Sequence, residues 1–254
     1  MENISAVVLV KNEGLRIEDC LVSLTWVDEV IVVDNGSTDD TVLRAKKYGA
    51  GIIESHETSF AKLREIGLRE AKGEWVLYVD ADEEVTQSLA EEIRKTVASF
   101  DPRTSSRAYF IKRINYFLGR KWPYQDRMQR LFWKPSLQGW HGVLHETASV
   151  DGKQGELTHP LIHKTHRRLE EMVNKTNEWS VHEARLRFQT GHKPIVWWRL
   201  MRVMWTGFSD SFLKQGGWKA GTFGLIESVF QGFSMFVTYA KLWELQMDQK
   251  SKKD

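Results

Sequence analysis

The sequence has few of the features that would assign its class directly. Cys20 is the one cysteine among 254 residues, so no internal disulfide can form. Secreted domains framed by disulfides are therefore excluded, and a reducing compartment is expected. The first residues, MENISAVVLVKNE, lack a basic start followed by an apolar stretch and a small-residue cleavage site, so we expect no export signal.

Long hydrophobic runs are also missing. The longest uncharged run of the apolar C-terminal part, residues 228–240, is shorter than the roughly 20 residues that a membrane-spanning helix needs. We therefore expect a cytoplasmic protein that is soluble or bound to a membrane surface. The length suits one large domain, or one domain with an appendage.

The net charge is small, but the two parts of the chain differ in sign. In total, 36 basic and 34 acidic residues give a formal charge of +2. Residues 1–98 carry a net charge of −9, and residues 99–254 carry +11. This asymmetry indicates that the two parts meet different partners.

The first hundred residues alternate between short apolar runs and helical periodicity. Strands are predicted at 4–10, 29–33, 51–54 and 75–79, and helices at 17–24, 41–48, 60–71 and 87–100. Short strands separated by helices of about ten residues indicate a parallel sheet covered on both faces. Further on, strands are predicted at 109–114 and 128–133, and helices at 169–188, 195–213 and 223–246.

Polar, turn-forming clusters follow the first two strands, where a parallel sheet binds its ligands. One cluster runs from Val10 to Gly14, and the other is DNGSTD at residues 34–39. Carboxylates and backbone amides at neighbouring strand ends can meet at one spot and bind a nucleoside. The alternative is that Asp34 and Ser37 only cap the next helix.

Four acids follow the fourth strand, in the segment Asp80-Ala81-Asp82-Glu83-Glu84. In an extended turn, carboxylates two residues apart can face the same side. Such oxygen ligands favour hard divalent cations such as Mg²⁺ or Mn²⁺. Acids at this place can also complement the dipole of the following helix, and we accept that explanation for Glu84 and Glu91. It does not account for Asp80 and Asp82, which lie on the strand end.

Together these motifs resemble those of a known family. The segments VVLVKNE, VDEVIVVDNGSTDDT and REAKGEWVLYVDADEEV, in this order and at this spacing, are similar to family 2 glycosyltransferases with the GT-A fold. The likeness is close over residues 4–100 and looser to about residue 180. The segments RLF at 130–132 and GVLHE at 142–146 are similar to the lipopolysaccharide-core subgroup. The resemblance implies an α/β fold of the GT-A type, with a Rossmann-like, mostly parallel sheet.

The resemblance also implies a UDP-sugar donor. Asp34 would contact the uracil, with Glu13 and the backbone of Val10 beside it, and Asp80 would lie near the ribose and diphosphate. The residues predicted to bind the donor are Val10, Glu13, Asp34, Ser37, Lys62, Arg64, Asp80 and Arg130.

Four of the basic residues near this site have competing explanations. Lys62 and Arg64 lie on the helix before the fourth strand, where the family often presents a basic residue to the nucleotide; a solvated helix face is the alternative. Arg127 and Arg130 flank the predicted strand 128–133 and suit phosphate. If they point outward on an edge strand, they only oppose aggregation. We favour Arg130 as a functional residue.

The metal ligands and the base also follow from the resemblance. Asp82 would bind Mg²⁺ or Mn²⁺, and His163 matches a histidine that some members use at the metal or diphosphate, with His166 as its competitor. Inverting transfer needs a carboxylate that takes the proton of the acceptor hydroxyl. Glu146 is the candidate base and Asp126 is the second choice; an ion pair with a nearby arginine is the alternative role for Glu146.

The C-terminal part combines aromatic and basic residues. Between residues 194 and 243 there are twelve aromatic side chains with five Arg and Lys residues among them. Such helices suit an anionic membrane surface, although packing on each other or on a partner subunit would use the same rings. Nucleic-acid binding is not expected, because the basic residues do not cluster and no nucleic-acid module is visible.

The prediction is an inverting, metal-dependent transferase that moves glucose or another hexose from a UDP-sugar to a lipid-linked acceptor such as the lipopolysaccharide inner core. Residues 1–190 would form the GT-A domain, with a donor half at 1–100 and an acceptor half at 101–190. Residues 191–254 would form amphipathic helices on the cytoplasmic face of the inner membrane. A phosphoryl-transfer hydrolase and a non-catalytic, membrane-associated sugar-binding protein stay open as alternatives. The oligomeric state is not predicted.

Overall fold

The computed structural model describes residues 3–57, 59–141, 147–165 and 168–251. The chain forms two compact units. The first comprises residues 1–114 and 125–164, and the second comprises residues 115–124 and 165–254. The functional division predicted after residues 100 and 190 stays a prediction.

The first half of the first unit alternates strands with helices. The strands are β1 (Ile4–Val10), β2 (Glu29–Asp34), β3 (Gly51–Glu54) and β4 (Trp75–Asp80), and the helices are α1 (Ile17–Val22), α2 (Thr41–Lys47), α3 (Phe60–Glu70) and α4 (Gln87–Ala98). The strands pair in the order β3-β2-β1-β4, all parallel. All eight elements were predicted, with ends within two residues.

The central strands β1 and β4 are buried on both faces, as their unbroken apolar runs predict, whereas the edge strand β3 is partly exposed. Successive residues of β1 enter different cores. Val8 packs in one core with Ile17 and Ile93, whereas Val7 packs in the other with Leu63. Helix α3 approaches the sheet so closely that a Cβ at Gly67 would lie 2.4 Å from Cγ1 of Val7. A glycine at this position therefore allows the contact.

Further strands follow in the second half of the first unit. They are β5 (Glu83–Val85), β6 (Ala108–Phe117), β7 (Arg120–Trp133), β8 (Leu137–His141), β9 (Thr147–Val150), β10 (Gln154–Glu156) and β11 (Leu161–Lys164). The parts of β6 and β7 that fall within residues 115–124 belong to the second unit. The large sheet continues from β4 in the order β7-β6-β11-β5, with β7 antiparallel to β4 and β11 antiparallel to β5. Strand β10 pairs with β6, and β8 pairs with β9 in a separate ribbon. The two strands predicted here lie within β6 and β7, and the other five were not predicted.

The second unit is helical. Its helices are α5 (Leu169–Gln189), α6 (Trp197–Ser209), which continues into a π-helical turn at Asp210–Lys214, and α7 (Gly221–Ser251). Glycines bring α6 and α7 together: a Cβ at Gly207 would lie 2.9 Å from the carbonyl of Gln231, and one at Gly232 would lie 2.8 Å from that of Met204. Within the described residues, no helix is long and apolar enough to span a membrane. The predicted fold class, mixed α/β with a mostly parallel sheet and a C-terminal helical region, is confirmed.

Candidate active site

The carboxyl ends of β1 and β2 form the first side of the site. Val10 pairs with Asp34 across the two strands, and the Asn35 amide donates to the Val10 carbonyl at 2.9 Å. Asp34 is buried, and its two carboxylate oxygens accept from the Ser37 amide at 3.1 and 3.3 Å. At the start of α2, the Thr41 amide donates to Asp39. Asp34 thus closes its own turn and does not cap the helix.

The loops after β1 and β2 are tied together by hydrogen bonds. The Asn12 amide donates to Oγ of Ser37 at 2.9 Å, and the Glu13 amide donates to Oγ1 of Thr41 at 2.9 Å. The Glu13 carboxylate lies 2.5 Å from Nη1 of Arg16. The structure therefore brings together four of the residues predicted to bind the nucleoside. They are Val10, Glu13, Asp34 and Ser37.

Asp39, in the loop after β2, connects the same two loops through hydrogen bonds. Its carboxylate accepts from the Thr41 amide and hydroxyl and from the Gly14 amide at 3.1 Å. Burial acts to raise the pKa of Asp39, but these hydrogen bonds outweigh it and lower the pKa below its ordinary value. An ionised Asp39 therefore holds the loop backbone in place near neutral pH.

The end of β4 carries a buried ionic cluster centred on Arg130. Arg130 lies on β7, and its side chain is 1% exposed. The guanidinium binds the Asp80 carboxylate through both terminal nitrogens and lies 2.6 Å from Oε1 of Glu83. Burial opposes ionisation of Asp80, but Arg130 and then Arg64 hold its pKa well below the ordinary range. The predicted residues Asp80 and Arg130 are thus direct partners.

Glu83 and Arg113 extend the cluster and were not predicted as site residues. Glu83 is fully buried, accepts from Nη1 of Arg113 at 3.0 Å, and also accepts from the Asp80 amide at 3.0 Å. Arg113 binds Asp126 through Nε at 3.2 Å and through Nη2. Asp126, the second choice as base, is therefore in an ion pair. The available signal for this cluster was the presence of arginines on the two strands that follow an acidic turn.

Asp82 lies beside His163. Because β11 pairs antiparallel with β5, His163 is opposite Glu83, and the Lys164 amide donates to the Asp82 carbonyl at 2.8 Å. Nε2 of His163 lies 3.4 Å from Oδ2 of Asp82. Two predicted metal ligands from distant parts of the sequence thus meet.

This pair fits a divalent cation. Within the described residues, no group of three or more His, Cys, Asp or Glu side chains could hold a metal ion. Mg²⁺ is commonly held by one or two protein ligands, with its other positions on substrate phosphates and water. The Asp82 carboxylate matches that donor set, whereas the His163 imidazole is a nitrogen donor that transition-metal ions such as Mn²⁺ accept more readily than Mg²⁺ does.

The two basic residues of α3 lie in different environments. The Arg64 side chain is 10% exposed, its guanidinium carbon lies 4.9 Å from the Trp140 ring centroid, and Nη2 is 4.0 Å from Oδ1 of Asp80. The Tyr78 ring lies beside Trp140, with its centroid 5.5 Å from the same guanidinium carbon. The Lys62 side chain is 62% exposed and lies 3.3 Å from Glu57. Lys62 therefore lies on the solvated face of α3, as the alternative explanation has it, whereas Arg64 extends to Asp80 at the end of β4.

The remaining candidates lie elsewhere or outside the described part of the chain. Arg127 is exposed and pairs with Glu156 at 3.0 Å. Its strand β7 lies between β4 and β6 in the sheet, but the pairing with β4 covers residues 131–133 only, so the edge-strand explanation stays open for Arg127. Glu146 and His166 lie outside the described residues. The assignment of Glu146 as the base stays a prediction.

Comparison with known proteins decides the family. The family model for glycosyl transferase family 2 matches residues 5–145, more than half of the chain. The chain belongs to this family. The family predicted from the three motifs is therefore confirmed, and the protein is a family 2 glycosyltransferase.

Two curated relatives align with nearly the whole length of this glycosyltransferase. An uncharacterized glycosyltransferase of Rickettsia prowazekii is 30% identical over 99% of this chain and 90% of its own length. The lipopolysaccharide core biosynthesis glycosyltransferase LpsC of Rhizobium meliloti is 25% identical, over 95% of this chain and 92% of its own. Among solved structures, S. aureus TarS 1-349 in complex with UDP-GlcNAc is 15% identical with a TM-score of 0.49, over 95% of this chain and 88% of that chain.

Proposed function

We propose that this glycosyltransferase moves glucose or another hexose from a UDP-sugar to a lipid-linked acceptor such as the lipopolysaccharide inner core. One observation carries the proposal. At the end of β4, Asp80 is bound by Arg130, while Asp82, two residues further on, lies 3.4 Å from His163. The two acids of one motif thus have different partners, one a guanidinium and the other a potential metal ligand.

The nucleoside of the donor would bind at the loops after β1 and β2. An ionised carboxylate has about four acceptor positions, and the Ser37 amide uses only part of those on Asp34. The uracil N–H is a suitable donor to the rest. The cross-loop hydrogen bonds of Asn12 and Glu13 would keep this site in place before the nucleotide arrives.

Asp82 and His163 would hold Mg²⁺ or Mn²⁺ at the diphosphate. The cation would supply charge neutralisation for the leaving nucleoside diphosphate. Arg130 is too deeply buried to meet the diphosphate, since its guanidinium is occupied by Asp80 and Glu83. Its proposed role is to position Asp80, which revises the direct donor contact expected from the sequence. Arg64, next to Asp80, is the basic residue proposed to face the donor.

Transfer would be a single displacement with inversion. The acceptor oxygen forms a bond to the anomeric carbon as the bond from that carbon to the diphosphate oxygen breaks. The Glu146 carboxylate takes the proton of the attacking hydroxyl, and the electron pair of the broken bond leaves with UDP. Asp126 is a weaker candidate, because Arg113 would have to release it before it could accept a proton.

The acceptor and the location follow from two supporting facts. The relative LpsC is described as a lipopolysaccharide core enzyme, and such acceptors are borne by a membrane. The second unit exposes several tryptophans on α6 among basic residues. We propose that the protein is peripheral on the cytoplasmic face of the inner membrane.

The test is UDP release by the full chain from a panel of UDP-hexoses, with bacterial lipid extract as acceptor. Release that requires the extract, Mn²⁺ or Mg²⁺, and one UDP-hexose supports the proposal. Transfer only from sugars on another nucleotide would contradict the donor assignment. Release that needs no lipid extract would contradict the acceptor assignment, and hydrolysis of phosphate esters without sugar transfer would favour the phosphohydrolase alternative.

A further inference from the structure

A cavity of about 320 Å³ lies in the second unit, where the connection between α5 and α6 meets α7. It is lined by Gly191, His192, Lys193, Arg199, Arg202 and Tyr239. None of these residues belongs to the glycosyltransferase site described above. Three of them carry a positive charge at neutral pH, and none carries a negative charge.

Among the residues that the structure describes, the three cations have no acidic partners. Within the described residues, Lys193, Arg199 and Arg202 form no ion pair. The nearby Arg187 differs, because Glu183 holds it at 2.5 Å. Arg199 donates to the carbonyls of Lys193 and Pro194 at 3.3 Å, and its Nε is buried without a hydrogen-bond partner. Lys193 and Arg202 are exposed and Arg199 is half-buried, so the three cations together present a positive, concave surface to an anion.

The wall of the cavity is held in place by α7. Nε2 of Gln246 donates to the His192 carbonyl at 3.0 Å, and Oε1 of Gln246 accepts from the Ile195 amide at 2.9 Å. The ring of His192 packs edge-on against Tyr239, with centroids 5.5 Å apart. The site is therefore preformed, which reduces the entropy that a ligand must overcome.

One exposed side of α6 is apolar. Trp197, Met201 and Trp205 recur every four residues and so share one face of the helix, and the two tryptophans are 78% and 63% exposed. Trp198 is also exposed, and the guanidinium carbons of Arg199 and Arg202 each lie 5.7 Å from its ring. Tryptophan beside arginine is the pairing found at lipid headgroup depth. Trp198, one residue after Trp197, thus connects the apolar side of α6 to two of the cations that line the cavity.

We propose that this cavity binds the phosphate of an anionic membrane phospholipid, with Trp197, Met201 and Trp205 entering the lipid interface. The inference rests on the proposed function in one respect, namely that the enzyme works at a membrane. It goes further by naming the binding site and the ligand chemistry. Charge complementarity selects the phosphate, and the exposed indoles select a lipid over free phosphate.

The test is co-sedimentation of the full chain with phosphatidylglycerol vesicles and with phosphatidylcholine vesicles. We expect binding to the anionic vesicles only, and a loss of roughly tenfold or more in Arg199→Ala/Arg202→Ala. Arg185→Ala/Lys250→Ala is the matched control: it removes the same charge from exposed positions of this unit, outside the cavity, and should bind like the parent. Because Arg199 supports the loop, Lys193→Ala/Arg202→Ala is a second pair that leaves those hydrogen bonds intact and should show the same loss.

Two further measurements separate the lipid from other ligands and from the catalytic proposal. The variant Trp197→Ser/Trp205→Ser should lose vesicle binding. If the full chain instead binds inorganic phosphate tightly and this variant still binds vesicles like the parent, the cavity is a site for free phosphate and the inference is overturned. Equal vesicle binding by the cavity pairs and the control pair would also overturn it. UDP binding by all variants should match the parent. Its absence from the parent protein would contradict the proposed function and leave the vesicle result valid.

Discussion

Nε2 of His163 lies 3.4 Å from Oδ2 of Asp82, although the two residues are eighty-one positions apart in the sequence. Pairing of β11 with β5 creates this contact, because it sets His163 opposite Glu83, next to Asp82. The proposed donor site depends on this pair. Asp82 and His163 are the two protein groups proposed to hold the divalent cation.

Replacement of Asp82 tests the cation site. Asp82→Asn keeps the size of the side chain but removes the charge, so we expect Mn²⁺-dependent UDP binding to weaken on the order of 100-fold. Glu84→Gln is the control, because it removes a nearby acid that pairs with Lys164. Calorimetric titration with UDP measures both. Equal weakening in the two variants would show a general charge effect and not a ligand.

Replacement of Arg130 tests the buried cluster. Arg130→Met leaves Asp80 and Glu83 without their shared cation, and breaking a buried pair in this way costs about 3–5 kcal/mol of unfolding free energy. Arg127→Met, on the same strand, removes an exposed pair with Glu156 and should cost less than about 1 kcal/mol. Urea denaturation measures both values. A similar small cost for the two variants would contradict the structural role of Arg130.

The same cluster predicts a pH dependence. The pKa of Asp80 is lower in the folded chain than its ordinary value of 3.8, so its ionised form stabilises the fold. That stabilisation is complete above about pH 4 and is lost as the pH falls towards the folded-state pKa. We therefore expect the unfolding free energy of the parent to fall below pH 4. Asp80→Asn should show a shallower fall, and an unchanged slope would contradict the assignment.

The two basic residues of α3 should differ in their effect on the donor. Arg64→Ala removes a guanidinium that lies beside Asp80, and we expect the KM for the UDP-sugar to rise roughly tenfold. Lys62→Ala removes an exposed charge two residues away and should leave KM near the parent value. Initial rates over a range of donor concentrations measure both. A higher KM in Lys62→Ala alone would reverse the assignment.

The base is tested by separating binding from chemistry. Glu146→Gln should lower the transfer rate about 100-fold or more and leave UDP affinity unchanged, because the carboxylate acts on the acceptor. UDP release and UDP calorimetry supply the two values. If Glu146→Gln transfers at a near-parent rate while Asp126→Asn does not, the base is Asp126.

Much of the donor half could be predicted from the sequence, because the signal for each strand and helix lies within its own residues. The strands and helices from β1 to α4 are long enough for their hydrophobic periods to be read, and all eight were predicted. Strands β5 and β8–β11 have three to five residues each, too few for a period. They were missed because pairing with distant strands, and not local preference, makes them strands.

The site shows the same division between local and distant signals. Asp34, Asp80 and Asp82 follow apolar strands directly, so their motifs point to the site. Glu83 stands among three other acids and has no local sign of burial, yet guanidiniums from β6 and β7 enclose it. Likewise, the contact of Arg64 with Trp140 joins α3 to β8, which the sequence does not reveal.

The central claim is that the strand-end site binds UDP through a divalent cation. The most direct measurement is calorimetric titration of the full chain with UDP, in the presence of Mn²⁺ and again with EDTA. We expect binding with Mn²⁺ and at least about tenfold weaker binding with EDTA. Binding of equal strength under both conditions, or none in either, would contradict the central claim.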